Sequence, residues 1–228
     1  MTIQDAIQVR HSVRHYINTP LTAEQINTLD AEISRCNREG GLHLQLVIDE
    51  PYCFQAEKPH YGKFQNVRNY IALVGRKSRN LDERLGYYGE YVVLLAQTLG
   101  LNTCWVGLTY KKTPAAMQIE KGETLRGVIA LGTGVTQGVQ HKSKSFEAVT
   151  EGTDFPDWFR RGVEAALLAP TAINQQKFRF KWDGGNAKVS VKAGIGFFAR
   201  MDLGIVACHF ELGSGHRFFL NQLHLDKS

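Results

Sequence analysis

Residues 1–40 carry two runs of apolar positions with the spacing of amphipathic helices. The first run is predicted to end before the turn-forming residues 18–20. The second is predicted to begin at Thr22, where Gln25 completes a capping box. The apolar positions are Ile3, Ala6 and Ile7 in the first helix and Ile26, Leu29 and Ile33 in the second. The chain is therefore predicted to open with two helices.

Apolar runs farther along the chain predict strands around one longer helix. Residues 51–66 have no period and are predicted to form a loop over a site. Strands are predicted at residues 42–48, 70–74 and 127–131, and a helix at residues 87–99 that Gly100 ends.

A stretch rich in Gly, Lys, Ser and Thr, residues 132–153, is the best candidate for a linker. After it, the order of the first half is predicted to repeat, with a helix at 158–168, strands at 178–182 and 189–191, and a long helix at 194–212. We therefore predict an α+β fold with two pseudo-symmetric halves, residues 1–150 and 151–228, packed as one compact unit.

Composition narrows the class of protein only slightly. The chain has 228 residues, 43% hydrophobic composition and a formal charge of +5, which suits a large core and either a phosphate-bearing ligand or a polyanion. Its four cysteines form no C-x-x-C pair, so neither a zinc site nor a redox disulfide is predicted. Neither a signal sequence nor an apolar run of membrane-spanning length is found, so we expect a soluble cytoplasmic protein.

Two arginines and a hydroxyl come close together near the start of the chain. Arg10, Ser12 and Arg14 are predicted to lie within about one helical turn, where forked cationic donors and a neutral donor suit a phosphomonoester. The alternative is an exposed basic helix end. His11 and His15 have the spacing of a helical metal pair, but no acidic third ligand is near and the arginines would repel a cation, so no metal is expected.

A second polar segment, residues 169–176, follows the helix predicted at 158–168. Pro170 is predicted to end that helix, and Thr171 and Asn174 then offer a hydroxyl and a carboxamide before a strand begins. Such a turn can recognise the polar edge of a planar ring. Taken alone, the segment is better interpreted as an ordinary connection between a helix and a strand.

These segments together resemble the nitroreductase family. Arg10-x-Ser12-x-Arg14 is similar to the family's flavin-phosphate motif, and Ala169-Pro170-Thr171-Ala172-x-Asn174-x-Gln176 is similar to its flavin-ring motif. Residues 89–107 resemble its long central helix and the loop beside the flavin. The resemblance implies a nitroreductase-like fold, in which helices flank a central, mainly antiparallel sheet.

The order of the motifs departs from that of ordinary family members, in which the ring motif follows the second helix. Here residues 34–41 stand in that place, and the ring motif lies in the second half. Ordinary members are homodimers that bind each flavin between subunits. The chain therefore resembles the family's single-chain branch, a fused pseudo-dimer expected to hold one flavin as a monomer or a homodimer.

The resemblance implies a role for each matched segment. Residues 10–14 would hold the phosphate and ribityl end of FMN, residues 170–174 would contact the isoalloxazine, and backbone groups of 104–107 would reach its N5. Lys142 and Lys144 are further phosphate candidates, and residues 61–63 are placed near the pyrimidine side. The implied cofactor-binding residues are Arg10, His11, Ser12, Arg14, Cys104, Trp105, Val106, Gly107, Lys142, Lys144, Pro170, Thr171, Ala172 and Asn174.

The activity that the resemblance implies is hydride transfer from NAD(P)H through FMN to small acceptors such as nitroaromatics or quinones, with no catalytic side chain required. The alternatives are a flavin-binding or storage protein with little turnover, and a dehalogenating or flavin-fragmenting relative. We do not expect a nucleic-acid or membrane partner.

Two competing patterns are weaker. The glycines at 132, 134 and 138 lack the spacing and following helix of a dinucleotide fingerprint. Arg160 and Arg161 beside Trp158 and Phe159 lack a nucleic-acid recognition fold, so we interpret them as a solvated helix face.

Overall fold

A computed structural model describes residues 1–55, 63–184 and 188–217, with backbone only at 188–191. Within these residues, no helix combines the length and apolar character needed to cross a membrane. The helices are α1 (Ile3–Val9), α2 (Ala23–Gly40), α3 (Leu81–Thr98), α4 (Phe146–Val149), α5 (Asp157–Leu167) and α6 (Ala199–Ser214). The strands are β1 (Gln45–Val47), β2 (Asn69–Arg76), β3 (Asn102–Val106), β4 (Glu123–Gly132), β5 (Thr150–Glu151), β6 (Phe178–Asp183) and β7 (Lys188–Ala193).

The strands form two sheets. The larger has the order β1-β2-β4-β3 and is antiparallel throughout. The smaller has the order β5-β6-β7, in which β5 runs parallel to β6 and β7 antiparallel to it. The predicted α+β class with a mainly antiparallel central sheet is confirmed.

Both faces of the larger sheet are buried, which explains the continuous apolar runs of its central strands. On β4, Ile129 and Leu131 join a core formed with the helices of both halves of the chain. Val128 and Ala130 face a second cluster that includes Tyr16 of the N-terminal segment. The sheet therefore packs on helices on one side and on loop segments on the other.

Helices α3 and α6 cross at two glycines. A Cβ on Gly86 would lie 2.1 Å from the carbonyl oxygen of Met201, and a Cβ on Gly204 would lie 2.0 Å from that of Glu83. Only glycine fits where two backbones approach so closely. The crossing brings the two halves of the chain into direct contact.

Two predicted elements are shorter than expected. The first strand covers residues 45–47 instead of 42–48, because the Asn37 side chain bonds both backbone groups of Leu44, which a ladder would otherwise use. The last helix begins at Ala199 instead of Gly194, because Gly194 donates to the Lys177 carbonyl and Phe198 has a φ of 59°. Tertiary contacts decide both boundaries.

The predicted linker, residues 132–153, includes α4 and β5. Its first part lies along the N-terminal segment. Gly134 pairs with Tyr16, and Val135 donates its amide to the carbonyl of His15 at 2.9 Å.

Candidate functional site

The segment that carries Arg10, Ser12 and Arg14 is extended. Helix α1 ends at Val9, and Ser12 pairs with Thr103 of β3, so the predicted single helical turn is wrong. In extended backbone, alternate side chains point to the same side. Arg14, Ser12 and Arg10 each act on the buried Cys104 thiol, where they partly offset the rise in its pKa that burial causes. The three predicted residues are therefore brought together on β3.

Arg10 is a buried cation, with 3% of its surface exposed. Its Nε lies 3.7 Å from Oε1 of Glu90, and this Nε has no hydrogen-bond partner among the residues the structure describes. Burial lowers the pKa of Arg10, and the Glu90 charge partly offsets that effect. A buried guanidinium with an unused donor is suited to an anionic oxygen.

The Trp105 indole is fixed against α3. Its Nε1 donates to Oε2 of Glu90 at 2.7 Å, and a Cβ on Gly89 would lie 2.7 Å from its ring. His209 of α6 reaches the other oxygen of Glu90 at 2.8 Å. Neither Glu90 nor His209 was predicted as a site residue. The available signal was a charged or ionisable residue within an otherwise apolar stretch of helix.

The Gly107 backbone lies under an aromatic ring. A Cβ on Gly107 would lie 2.3 Å from the ring of Phe198, which precedes α6. The Phe198 ring therefore covers the residue that follows β3, where the resemblance implies the flavin ring. Phe198 was not predicted as a site residue.

The predicted ring motif forms a tight turn held by its own side chains. Thr171 Oγ1 accepts from the backbone N–H of Gln176 at 3.1 Å, and Asn174 Oδ1 accepts from the side-chain Nε2 of Gln176 at 2.7 Å. Ile173, Asn174 and Gln176 have φ values of 48°, 54° and 44°. Left-handed conformations are unfavourable for a β-branched residue, and such strain is concentrated at functional sites.

Asp202 of α6 fixes this turn by two hydrogen bonds and was not predicted as a site residue. Its Oδ1 accepts from the Ala172 amide at 3.0 Å and its Oδ2 from Gln175 Nε2 at 2.7 Å. Burial raises the pKa of Asp202 to about 6, although both hydrogen bonds act in the opposite direction.

Lys142 and Lys144, the two predicted phosphate candidates, both lie beside the turn but contact it through different groups. Lys144 Nζ donates to the carbonyls of Gln175 and Gln176 at 3.1 and 2.8 Å. The backbone carbonyl of Lys142 accepts from Asn174 Nδ2 at 2.9 Å, and Lys142 itself is exposed. Lys144 therefore stabilises the turn through its charged group, and Lys142 presents its side chain to solvent.

The segment before these lysines lies between the phosphate and ring motifs. A Cβ on Gly138 would contact His11 at 2.8 Å. Burial lowers the pKa of His11, and the charges of Arg10 and His141 act in the same direction. His141 Nε2 contacts the carbonyl of Leu167 in α5 at 3.0 Å. Residues 138–144 thus connect the N-terminal motif with the turn.

Two other expectations concern residues 61–63 and a metal. Tyr61 and Gly62 lie outside the described residues, so their predicted place near the ring stays a prediction. Within residues 1–55, 63–184 and 188–217, no group of three His, Cys, Asp or Glu side chains could hold a metal ion.

The arrangement fits FMN at both ends. Arg10 has an unused buried donor close to Ser12 and Arg14, a donor set that suits a phosphate. At the other end, the absence of a side chain at Gly107 leaves a surface that accepts an aromatic ring, and the Phe198 ring holds that place, so a flavin ring would have to displace it. The residues of the N-terminal motif therefore suit the phosphate of a flavin mononucleotide, and the Gly107 surface suits its ring when Phe198 is displaced.

Solved structures similar to this one define the class by fold. A "putative nitroreductase" from Thermotoga maritima has a TM-score of 0.64 and 22% identity, covering 93% of this chain and 83% of its own. A structure from Desulfovibrio desulfuricans, described as a putative nitroreductase in complex with FMN, has a TM-score of 0.50 and 19% identity, covering 68% and 99%. At these identities the likeness establishes the nitroreductase fold. A comparison with curated proteins found no match.

The family follows from a sequence model. The family described as "Putative TM nitroreductase" matches residues 2–214. The chain therefore belongs to this nitroreductase family, as its motifs predicted.

Proposed function

We propose that this protein is an FMN-dependent oxidoreductase that transfers hydride from NAD(P)H to a small acceptor such as a nitroaromatic or a quinone. The single observation that carries the proposal is the buried Arg10 guanidinium, whose Nε has no hydrogen-bond partner among the described residues. Two findings add support: the match to the nitroreductase family and the FMN in a structural neighbour.

The residues at the N-terminal motif bind and orient the phosphate. Arg10 supplies a desolvated cation, and Ser12 and Arg14 supply donors on the same side of the extended segment. Charge-assisted hydrogen bonds to a phosphate contribute about 1.5–3 kcal/mol each.

The residues at the ring end orient a planar group and exclude water from one of its faces. Gly107 permits a ring to stack after β3 in the place that Phe198 holds, and the Asn174 carboxamide, which bonds to Lys142 and Gln176, presents its dipole to a polar ring edge. FMN supplies the redox chemistry when bound, and the protein supplies binding, orientation and electrostatics. No side chain has to act as an acid or a nucleophile.

We further propose that the two halves take the places of two subunits, so that one chain builds one complete site. The crossing of α3 and α6 supports this, because Gly86 meets the backbone of Met201 and Gly204 meets the backbone of Glu83 in the same way. An acceptor would then reach the ring without a second chain.

The test begins with the visible spectrum of the purified protein, after which bound flavin is released by heat and identified. FMN bands that bleach when NADH or NADPH is added without oxygen are the expected result. Bound FMN that stays oxidised with both donors would contradict turnover and indicate a flavin-binding protein. A colourless protein that takes up no added FMN would overturn the proposal.

A further inference from the structure

Glu90 is a fully buried carboxylate that joins both halves of the chain. It lies on α3 with 0% exposure, and both of its oxygens are used. Oε2 accepts from the Trp105 indole of β3, and Oε1 lies 2.8 Å from Nε2 of His209 on α6. Arg10, which follows α1, is within 3.7 Å of Oε1. Helices α3 and α6, strand β3 and the segment after α1 thus meet at one carboxyl group.

The contacts of the His209 ring determine how many protons His209 and Glu90 share. The carbonyl oxygen of Ala165 can only accept, so Nδ1, at 3.1 Å, carries a proton and donates. The short contact between Nε2 and Glu90 then requires one more proton between these two groups. Whichever of the two atoms carries that proton, the pair has no net charge, and Arg10 is the remaining cation beside it.

We propose that Glu90 and His209 form a positioning pair that holds the Trp105 indole and the Arg10 guanidinium in place for the flavin site. The pair contacts neither the phosphate nor the ring in this proposal, and acts through the two residues that do. Its consequence for FMN rests on the proposed function. Its consequence for Trp105 does not.

The geometry explains why both members of the pair are needed. Trp105 lies within the stretch 104–107, and its indole is held by Glu90 on one side and by Gly89 on another. Glu90 is in turn oriented by His209, whose own ring is fixed by the Ala165 carbonyl. A buried carboxylate without these partners would carry a large desolvation cost.

Two substitutions at His209 distinguish a role in orienting Glu90 from a role in merely filling the space that the imidazole occupies. The amide nitrogen of Gln in His209→Gln can take the place of Nε2 and keep the contact with Glu90. The amide nitrogen of Asn in His209→Asn can take the place of Nδ1 and keep only the contact with Ala165. The side chains are otherwise similar in polarity, so they form a matched pair.

The first readout is the indole N–H resonance of Trp105, assigned among the three tryptophans with Trp105→Phe. We expect it to be protected from exchange in the wild type, His209→Gln and Glu90→Gln, and to lose that protection in Glu90→Ala and His209→Asn. If Glu90→Ala fails to fold, His209→Asn against His209→Gln still decides the result.

The second readout is the FMN dissociation constant. We expect an increase of about tenfold in His209→Asn and a change within about twofold in His209→Gln. The matched control is Glu123→Gln, which alters a His–Glu pair of similar length, 2.9 Å to His43, away from the site. It should leave both readouts unchanged.

Unchanged indole protection and FMN affinity in both Glu90→Ala and His209→Asn would overturn the positioning pair. If the wild type bound no FMN, the proposed function would fail, and the indole resonance would decide the pair independently. If the wild type bound FMN but the variants bound it equally well, the proposed function would stand and the pair's role in the site would be wrong.

Discussion

The two ends of the candidate site are held in opposite ways. At the N-terminal motif, Arg10 and Ser12 depend on distant elements: Arg10 faces Glu90 of α3, and Ser12 pairs with β3. At the ring motif, Thr171 and Asn174 bond with Gln176 of the same turn. The first end is therefore a product of the fold, and the second is largely a local structure docked on Asp202. Damage to the core should impair the first end more than the second.

The largest expected effect is on stability, at the crossing of α3 and α6 that supports both ends of the site. Gly204→Ala would place a methyl group against the Glu83 carbonyl, and a backbone cannot yield as a flexible side chain can. We expect the free energy of unfolding to fall by about 3 kcal/mol or more. Chemical denaturation measures this.

Gly100→Ala is the control for that substitution. Its Cβ would meet nothing within 4 Å, but its φ is 75°, so it isolates the cost of the left-handed conformation, about 1 kcal/mol. Equal losses in the two variants would contradict the proposed steric contact between α3 and α6.

The next largest effect is on FMN affinity and concerns the N-terminal motif alone. Arg10→Ala should weaken FMN binding by about 2–3 kcal/mol, because it removes a desolvated charge-assisted donor. Arg126→Ala is the control, since Arg126 forms an exposed pair with Asp82 at 2.7 Å, away from the site. Calorimetric titration with FMN measures both, and equal affinities would exclude Arg10 from the phosphate site.

A pH effect of up to about 3 kcal/mol on the free energy of unfolding is expected at the ring end. Because burial raises the pKa of Asp202 from 3.8 to about 6, the folded state binds this proton more tightly than the unfolded chain. The stabilising contribution is complete below pH of about 4 and is lost as pH rises through about 6. Asp202→Asn should therefore gain stability relative to the wild type across that window.

Denaturation curves at several pH values test this difference. Any constant offset between Asp202→Asn and the wild type reflects the changed hydrogen bonds to Ala172 and Gln175. A difference that does not vary between pH of about 4 and about 6 would show that Asp202 titrates normally.

The smallest expected effect on affinity is at Asn174. Both ends of its amide already bond to protein groups, and the residue is exposed, so Asn174→Ala should cost less than about 1 kcal/mol of FMN affinity. We expect the flavin midpoint potential to shift instead, because a dipole near the ring edge is lost. Ile173→Val is the control, and a change in affinity as large as that of Arg10→Ala would remove the distinction between the two ends.

Local signals in the sequence were sufficient for most elements and for the two motifs. The capping box at Thr22 and Gln25 was confirmed, as was the end of the central helix before Gly100, whose φ is 75°. The extended conformation of residues 10–14 could not be predicted, because it depends on pairing with Thr103, far along the chain. Helical spacing alone made Ser12 look like part of a helix.

Long-range pairs account for the rest of what was missed. Glu90 and His209 are 119 residues apart, and neither residue indicates the other in the sequence. Asp202 and Phe198 likewise acquire their roles only when α6 packs beside the turn and β3. A motif supplies the chemistry of a site, while packing decides which buried groups orient it.

The most direct test of the composite site is the stoichiometry of FMN measured together with the mass of the particle in solution. One FMN per chain is the predicted result, since both motifs lie on one polypeptide, and this ratio in a monomeric particle would show that a single chain is sufficient. One FMN per two chains, or no uptake of FMN at all, would contradict a complete flavin site within a single chain.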